Sequence, residues 1–135
     1  IEEALDLVGV QVHRQHTVDA CGDELPVWSG NDDLTVPLLS LGAKGVISVL
    51  SNVRPKRTLQ MVRACQDGDY AAAGRMQVAF TPLIDALFSE INPIPVKQAL
   101  SLMGIPAGLP RLPLTPLSAT HLPALEQALS AAPEP

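Results

Sequence analysis

Between Lys44 and Leu50 the chain reads Lys-Gly-Val-Ile-Ser-Val-Leu, an apolar run in which Ser48 is the one polar interruption. A strand with one wet face alternates apolar and polar residues, because successive side chains point to opposite faces. A run that is apolar at nearly every position suits a strand covered on both faces, as in a parallel sheet flanked by helices. That narrows the fold class to α/β, since parallel neighbours need a long crossover, usually a helix. The preceding residues leave room for such crossovers. Leu7-Val8-Gly9-Val10 predicts a buried strand, and His13 to Cys21 a helical segment broken by Gly22-Asp23. Leu25 to Ser29 predicts the next strand. Gly30-Asn31-Asp32-Asp33 then predicts a turn, with Asn31 or Asp32 placed to cap a helix reaching Leu41. Gly42 ends that helix, and the run from Lys44 to Leu50 completes a βαβ unit.

Beyond this the pattern becomes helical. Pro55 suits the first turn of a helix carrying Leu59, Val62 and Cys65 on an apolar face, ended by Gly68. From Asp69 onward, Met76, Phe80, Leu83, Ile84, Leu87 and Phe88 recur at helical spacing. Pro82 interrupts that pattern and predicts a kink or break near Ala79. Asn92-Pro93-Ile94-Pro95 predicts a turn before a short helix from Val96 to Met103, which Gly104 ends. Ile105 to Pro116 holds four of the thirteen prolines and predicts an ordered loop, with a last helix from about Ala119 to Ala131. The expected division is therefore 1–67 as βα repeats and 68–135 as a helical region, without a flexible linker between them.

Composition excludes several classes. A net charge of −5 and a single Trp and a single Tyr offer no basic, aromatic-rich surface to nucleic acid. No stretch approaches the roughly 20 apolar residues of a membrane span. Two cysteines make no disulfide framework, so Cys21 and Cys65 are expected as reduced thiols in a cytoplasmic protein. The first residues carry no basic segment followed by an apolar run, so no signal peptide is expected, and the absence of an initial Met hints at trimming or a partial sequence.

Four blocks in order carry a resemblance: Ser29-Gly30-Asn31-Asp32-Asp33, Leu41-Gly42-Ala43-Lys44-Gly45-Val46-Ile47-Ser48-Val49, Asn92-Pro93-Ile94-Pro95-Val96-Lys97, and Arg111-Leu112-Pro113-Leu114-Thr115-Pro116-Leu117. Over about Ala20 to Ala128 the chain resembles the dihydrodipicolinate synthase family, which also includes N-acetylneuraminate lyase and keto-deoxy-sugar acid aldolases. The last two blocks favour the synthase branch. The resemblance implies the last two or three βα units of a (β/α)₈ TIM barrel with a C-terminal helical extension. A complete barrel takes about 250 residues.

It also implies Schiff-base chemistry. A barrel lysine forms an imine with pyruvate, and the resulting enamine attacks aspartate semialdehyde in the route to lysine and diaminopimelate. No further cofactor or metal is implied, and a homo-oligomer is expected. Ile47 matches the position whose backbone carbonyl helps to place pyruvate, and Gly30 matches a rim position close by. Both fall at the C-terminal ends of strands, where barrel enzymes build their active sites. The imine-forming lysine is replaced by Gln11, within a segment (1–19) that diverges from the family. A carboxamide cannot form an imine, because its nitrogen lone pair is delocalised into the carbonyl. Lys44, Lys56 and Lys97 lie at the wrong places to substitute, and Tyr70 stands outside the barrel, so the relay tyrosines are missing too. The expectation is a chain inactive by itself. The alternative is a non-catalytic half-barrel that works by self-association or beside a complete subunit, covering its unpaired strand edges. A faulty gene boundary before Ala20 is a third reading.

Other residue groups have plainer explanations. His13 and His16, with Asp19 or Cys21, have the spacing of metal ligands but read better as a solvent-facing pair. Asn31-Asp32-Asp33 reads as a helix N-terminus before it reads as an acid/base pair. Cys65 reads as a buried thiol, and the stripe Phe80-Leu83-Leu87-Phe88 as core or subunit contact. Gly42 to Gly45 lacks the Gly-Lys-Ser/Thr ending of a phosphate cradle.

Overall fold

The computed structural model describes residues 16–22 and 24–132. The expected strand Leu7–Val10, Gln11 and His13 lie outside them. Residues 16–21 are helical, and Gly22 closes the turn at a φ of +50° with its amide bonded to the Val18 carbonyl at 3.0 Å.

Two short strands follow, β1 (Trp28–Ser29) and β2 (Gly45–Val46), paired in parallel with Trp28 opposite Gly45 and Ser29 opposite Val46. The bonds Lys44 N→Val27 O (2.9 Å) and Ile47 N→Ser29 O (2.8 Å) extend the ladder at each end. Between the strands run a 3₁₀ turn (Asp32–Leu34) and helix α1 (Thr35–Ser40), which is the expected crossover. Glycine at position 45 leaves room for the ring of Trp28. A Cβ built on it would stand 2.4 Å from the Trp28 ring, which lies across the strand.

Both strands are shorter than the sequence predicts, for different reasons. At β1, Leu25 is instead bonded back to Cys21 and largely exposed, and Pro26 has no N–H to give a ladder. At β2, the amides of Val49 and Leu50 are taken by the Asp32 carboxylate, and the chain turns into a second 3₁₀ segment, Leu50–Asn52. Leu50 is fully buried in that turn. The continuous apolar run is thus a short strand followed by a buried turn.

Helix α2 (Pro55–Gln66) starts with Pro55 in its first turn, as expected. Its buried face is Thr58, Met61 and Cys65; Leu59, expected on that face, is 48 % exposed, because it stands one residue off the buried row. Helix α3 (Tyr70–Leu87) is capped by Asp69, whose carboxylate accepts from the Ala72 amide at 2.9 Å. It runs unbroken through Pro82, so of the kink or break expected near Ala79 the break does not occur. Proline removes one intrahelical bond, while Phe80, Leu83, Ile84 and Leu87 are buried on the same helix and hold it in place. Phe88 is past the helix end and 41 % exposed, so it leaves the stripe to which its spacing assigned it. Helices α4 (Ile94–Leu102) and α5 (Leu122–Ala131) complete the chain, joined by the proline-rich loop.

The core has two parts that meet on α3. One joins Leu34, Leu38, Leu39, Met61, Cys65 and Ala73; the other joins Leu50, Val53, Phe80, Leu83, Leu87, Val96, Leu125 and Leu129. Met76 packs against both. The buried Arg54 ties the far end down, its Nη2 donating to the Leu129 carbonyl at 2.7 Å near the C-terminus of α5. A guanidinium there satisfies a carbonyl the helix leaves open and complements the helix dipole.

Candidate functional site

Parallel pairing in this register brings the two rim residues named by the sequence to the same end. Gly30 follows β1 and Ile47 follows β2, and the Ile47 amide donates to the carbonyl of Ser29 at 2.8 Å. Ser29 is fully buried, and its hydroxyl donates to the Asn31 carbonyl (2.7 Å) and accepts from the Asn31 amide (3.2 Å), turning the chain sharply after the strand. Ile47 is 74 % exposed and Gly30 is exposed, so the rim faces open space.

Asp32 organises this end of the strands. It is 1 % exposed, and its carboxylate does not cap the helix that follows it. Oδ2 accepts from the amides of Val49 and Leu50, each at 2.9 Å, and Oδ1 accepts from the Ser48 hydroxyl. Neither Asn31 nor Asp32 thus makes the expected side-chain cap; Asp32 reaches across to the loop after β2 instead. Three donors offset the cost of burying a carboxylate. They also leave it without the free face an acid/base group needs. The same loop is closed further by Ser48 Oγ accepting from Ser51 N (2.8 Å) and by Asn52 Nδ2 donating to Val49 O (3.0 Å). From α3, Gln77 Nε2 donates to the Asp32 carbonyl at 2.9 Å while its Oε1 accepts from the Val36 amide at 3.3 Å. Sequence reasoning missed Asp32 and Gln77 in these roles. The available signal was Ser48, the lone polar residue in the apolar run.

The lysines stand apart from the rim. Lys44 precedes β2 at the opposite end of the strands, and Lys56 is exposed in the first turn of α2. Lys97 on α4 donates its Nζ to the Ala107 carbonyl. Tyr70, at the start of α3, donates to the Leu39 carbonyl at 3.3 Å. Cys65 is buried, and burial pushes its thiol above the usual cysteine range, which suits packing better than nucleophilic attack. No group of three or more potential metal ligands occurs among the described residues. No described helix is long and apolar enough to cross a membrane.

A second polar cluster lies where α3 and α5 approach. Glu90 Oε1 accepts from the Ser118 amide (3.0 Å) and lies 2.8 Å from His121 Nδ1. Hydrogen bonding from Ser118, then from His121, holds the Glu90 carboxyl below the usual glutamate range. Ser118 Oγ meets the same His121 nitrogen at 3.2 Å. One nitrogen serving both partners cannot relay a proton between them, so this is a clasp and not a catalytic triad.

Known proteins resemble this arrangement. The profile of the Dihydrodipicolinate synthetase family matches residues 6–132. A 4-hydroxy-tetrahydrodipicolinate synthase of Acetivibrio thermocellus is 46 % identical over 112 residues, covering 83 % of this chain and 38 % of the relative. The solved structure of the 4-hydroxy-tetrahydrodipicolinate synthase of Methylacidiphilum fumariolicum superposes with a TM-score of 0.86 at 38 % identity, over 90 % of this chain and 41 % of that one. A chloride-inhibited dihydrodipicolinate synthase of Acinetobacter baumannii, solved with pyruvate, gives 0.83 at 38 % identity over 88 % of this chain and 41 % of that one. The chain thus spans about two fifths of the length of the relatives it matches.

Proposed function

The chain belongs to the dihydrodipicolinate synthetase family, and from that premise we propose that it supplies the C-terminal part of a 4-hydroxy-tetrahydrodipicolinate synthase, a lyase of lysine and diaminopimelate biosynthesis. In that reading β1 and β2 are strands near the close of a TIM barrel, and the other strands come from residues elsewhere on the same or another chain. The observation that carries it is the meeting of Gly30 and Ile47 at the C-terminal ends of two parallel strands, the end at which barrels build their sites. The carbonyl of Ile47 would lie against the pyruvate unit, while an amine elsewhere in the barrel condenses with the pyruvate ketone and releases water. The enamine formed by loss of a methyl proton then attacks aspartate semialdehyde. Location in the cytoplasm follows from the same reading.

These residues do not contain the amine. Gln11 stands at the matching position, and an amide nitrogen is no nucleophile toward a ketone. The three lysines are at the far strand end, on an outer helix and bonded to a loop carbonyl. Incubating the purified chain with labelled pyruvate and borohydride should therefore leave no label on protein. A reduced lysyl adduct would overturn the inactivity of the chain by itself.

A second reading, self-association or pairing with a complete subunit, is favoured by outer strand edges that no other described residue pairs with and by Leu25, Trp28 and Ile47, exposed around them. Bare edges and apolar side chains promote pairing with another chain. Sedimentation equilibrium should give a mass above that of one chain; a monomer across the concentration range would overturn self-association.

A further inference from the structure

We propose that Asp32 is a positioning residue for the pyruvate-contacting rim: it fixes the loop Ile47–Leu50 so that the Ile47 carbonyl stays presented beside Gly30. This rests on the reading of Ile47 given above. On the strand side the loop is anchored by the Ile47 amide on the Ser29 carbonyl and the strand bond before it. After Ile47 the Asp32 carboxylate ties the loop to the rest of the fold, beside the local bonds among Ser48, Val49, Ser51 and Asn52. Asp32 takes the Ser48 hydroxyl on Oδ1 and the Val49 and Leu50 amides on Oδ2. These are the three residues immediately following Ile47, so the peptide plane that carries its carbonyl is bounded by a ladder bond on one side and by the carboxylate on the other. An anion accepting from successive amides makes charge-assisted bonds, roughly twice as strong as neutral ones. Because the carboxylate is 1 % exposed, water cannot readily replace it.

Asp32 is itself held from the helical region. The Gln77 amide on α3 donates to the Asp32 carbonyl and accepts from the Val36 amide. Thr35 Oγ1 donates to that same carbonyl at 3.0 Å. The rim geometry therefore depends on a helix outside the strand repeat, through a single side chain.

The test uses the full chain, with backbone amides followed by nuclear magnetic resonance and pyruvate itself as the probe. Asp32→Asn should raise exchange at the Val49 and Leu50 amides by about tenfold or more, as expected for losing a buried charge-assisted bond, while amides of α3 and α5 stay protected. Pyruvate should shift the Ile47 and Gly30 resonances of the unsubstituted chain, and that response should weaken severalfold in the variant. Should Asp32→Asn fail to fold, Ser48→Ala removes only the Oδ1 partner, and Ser48→Thr, which keeps the hydroxyl, should restore the pyruvate response. A purely structural role would not produce that rescue. Unchanged exchange at Val49 and Leu50 would overturn the inference, as would an equal pyruvate response in parent and variants. A parent chain in which pyruvate shifts nothing would overturn the reading of the rim, and the inference with it; the exchange data would show separately whether Asp32 holds the loop.

Discussion

Single residues in this chain act through what they exclude or satisfy. Gly45 leaves the space that the Trp28 ring fills, where a Cβ would project. Because Trp28 is half exposed, its ring can give way, and Gly45→Ala should cost about 1 kcal/mol, the low end of overpacking, read as a lower urea midpoint with an unchanged slope. The identity of Gly45 was legible in the sequence as part of a motif, but its cause was not, since nothing in the local pattern says which ring will lie across the strand. Asp32 shows the same gap. Its type and place predict a helix cap, and locally that is the cheapest use of an aspartate. The fold instead brings Val49 and Leu50, seventeen and eighteen residues on, within reach of the carboxylate. Such a partner cannot be found by spacing.

At the scale of elements, the helices were legible, and the two described strands were legible in place but not in length. Asp69 before α3, Pro55 in the first turn of α2 and the glycines at 68 and 104 with positive φ all mark boundaries by local chemistry. Asp69→Ala should cost about 1 kcal/mol, visible in thermal unfolding followed by far-ultraviolet circular dichroism, with the largest loss of protection at the start of α3. A midpoint unchanged within error would show that the cap adds nothing to the packed helix. The strand lengths went wrong because apolar content reports burial, and Leu50 is as buried in a 3₁₀ turn as it would be in a sheet. Pro82 does not end its helix: it forfeits one bond, and the packing of its neighbours outweighs that loss.

For the molecule as a whole, the last helix is pinned at both ends, by Arg54 on the Leu129 carbonyl and by Glu90 on Ser118 and His121. The second link makes stability depend on pH. Because the folded-state Glu90 carboxyl is held below the usual glutamate range, its contribution is complete above the unfolded-state value and is lost as pH falls through the folded one. Glu90→Gln should thus be less stable than the parent chain at neutral pH, with the difference closing in acid; parallel denaturant titrations at several pH values check this. A gap that stays constant into acid would show that the charge of Glu90 is irrelevant. The family was legible from four short blocks, and it survives comparison with solved relatives at TM-scores of 0.83 and 0.86.

The ring over Gly45 has one practical consequence. Trp28 is the sole tryptophan, half exposed on the face of the two strands where its ring crosses Gly45. Its fluorescence is therefore an intrinsic optical gauge of assembly: emission should move to shorter wavelength when another chain covers that face, with no label attached.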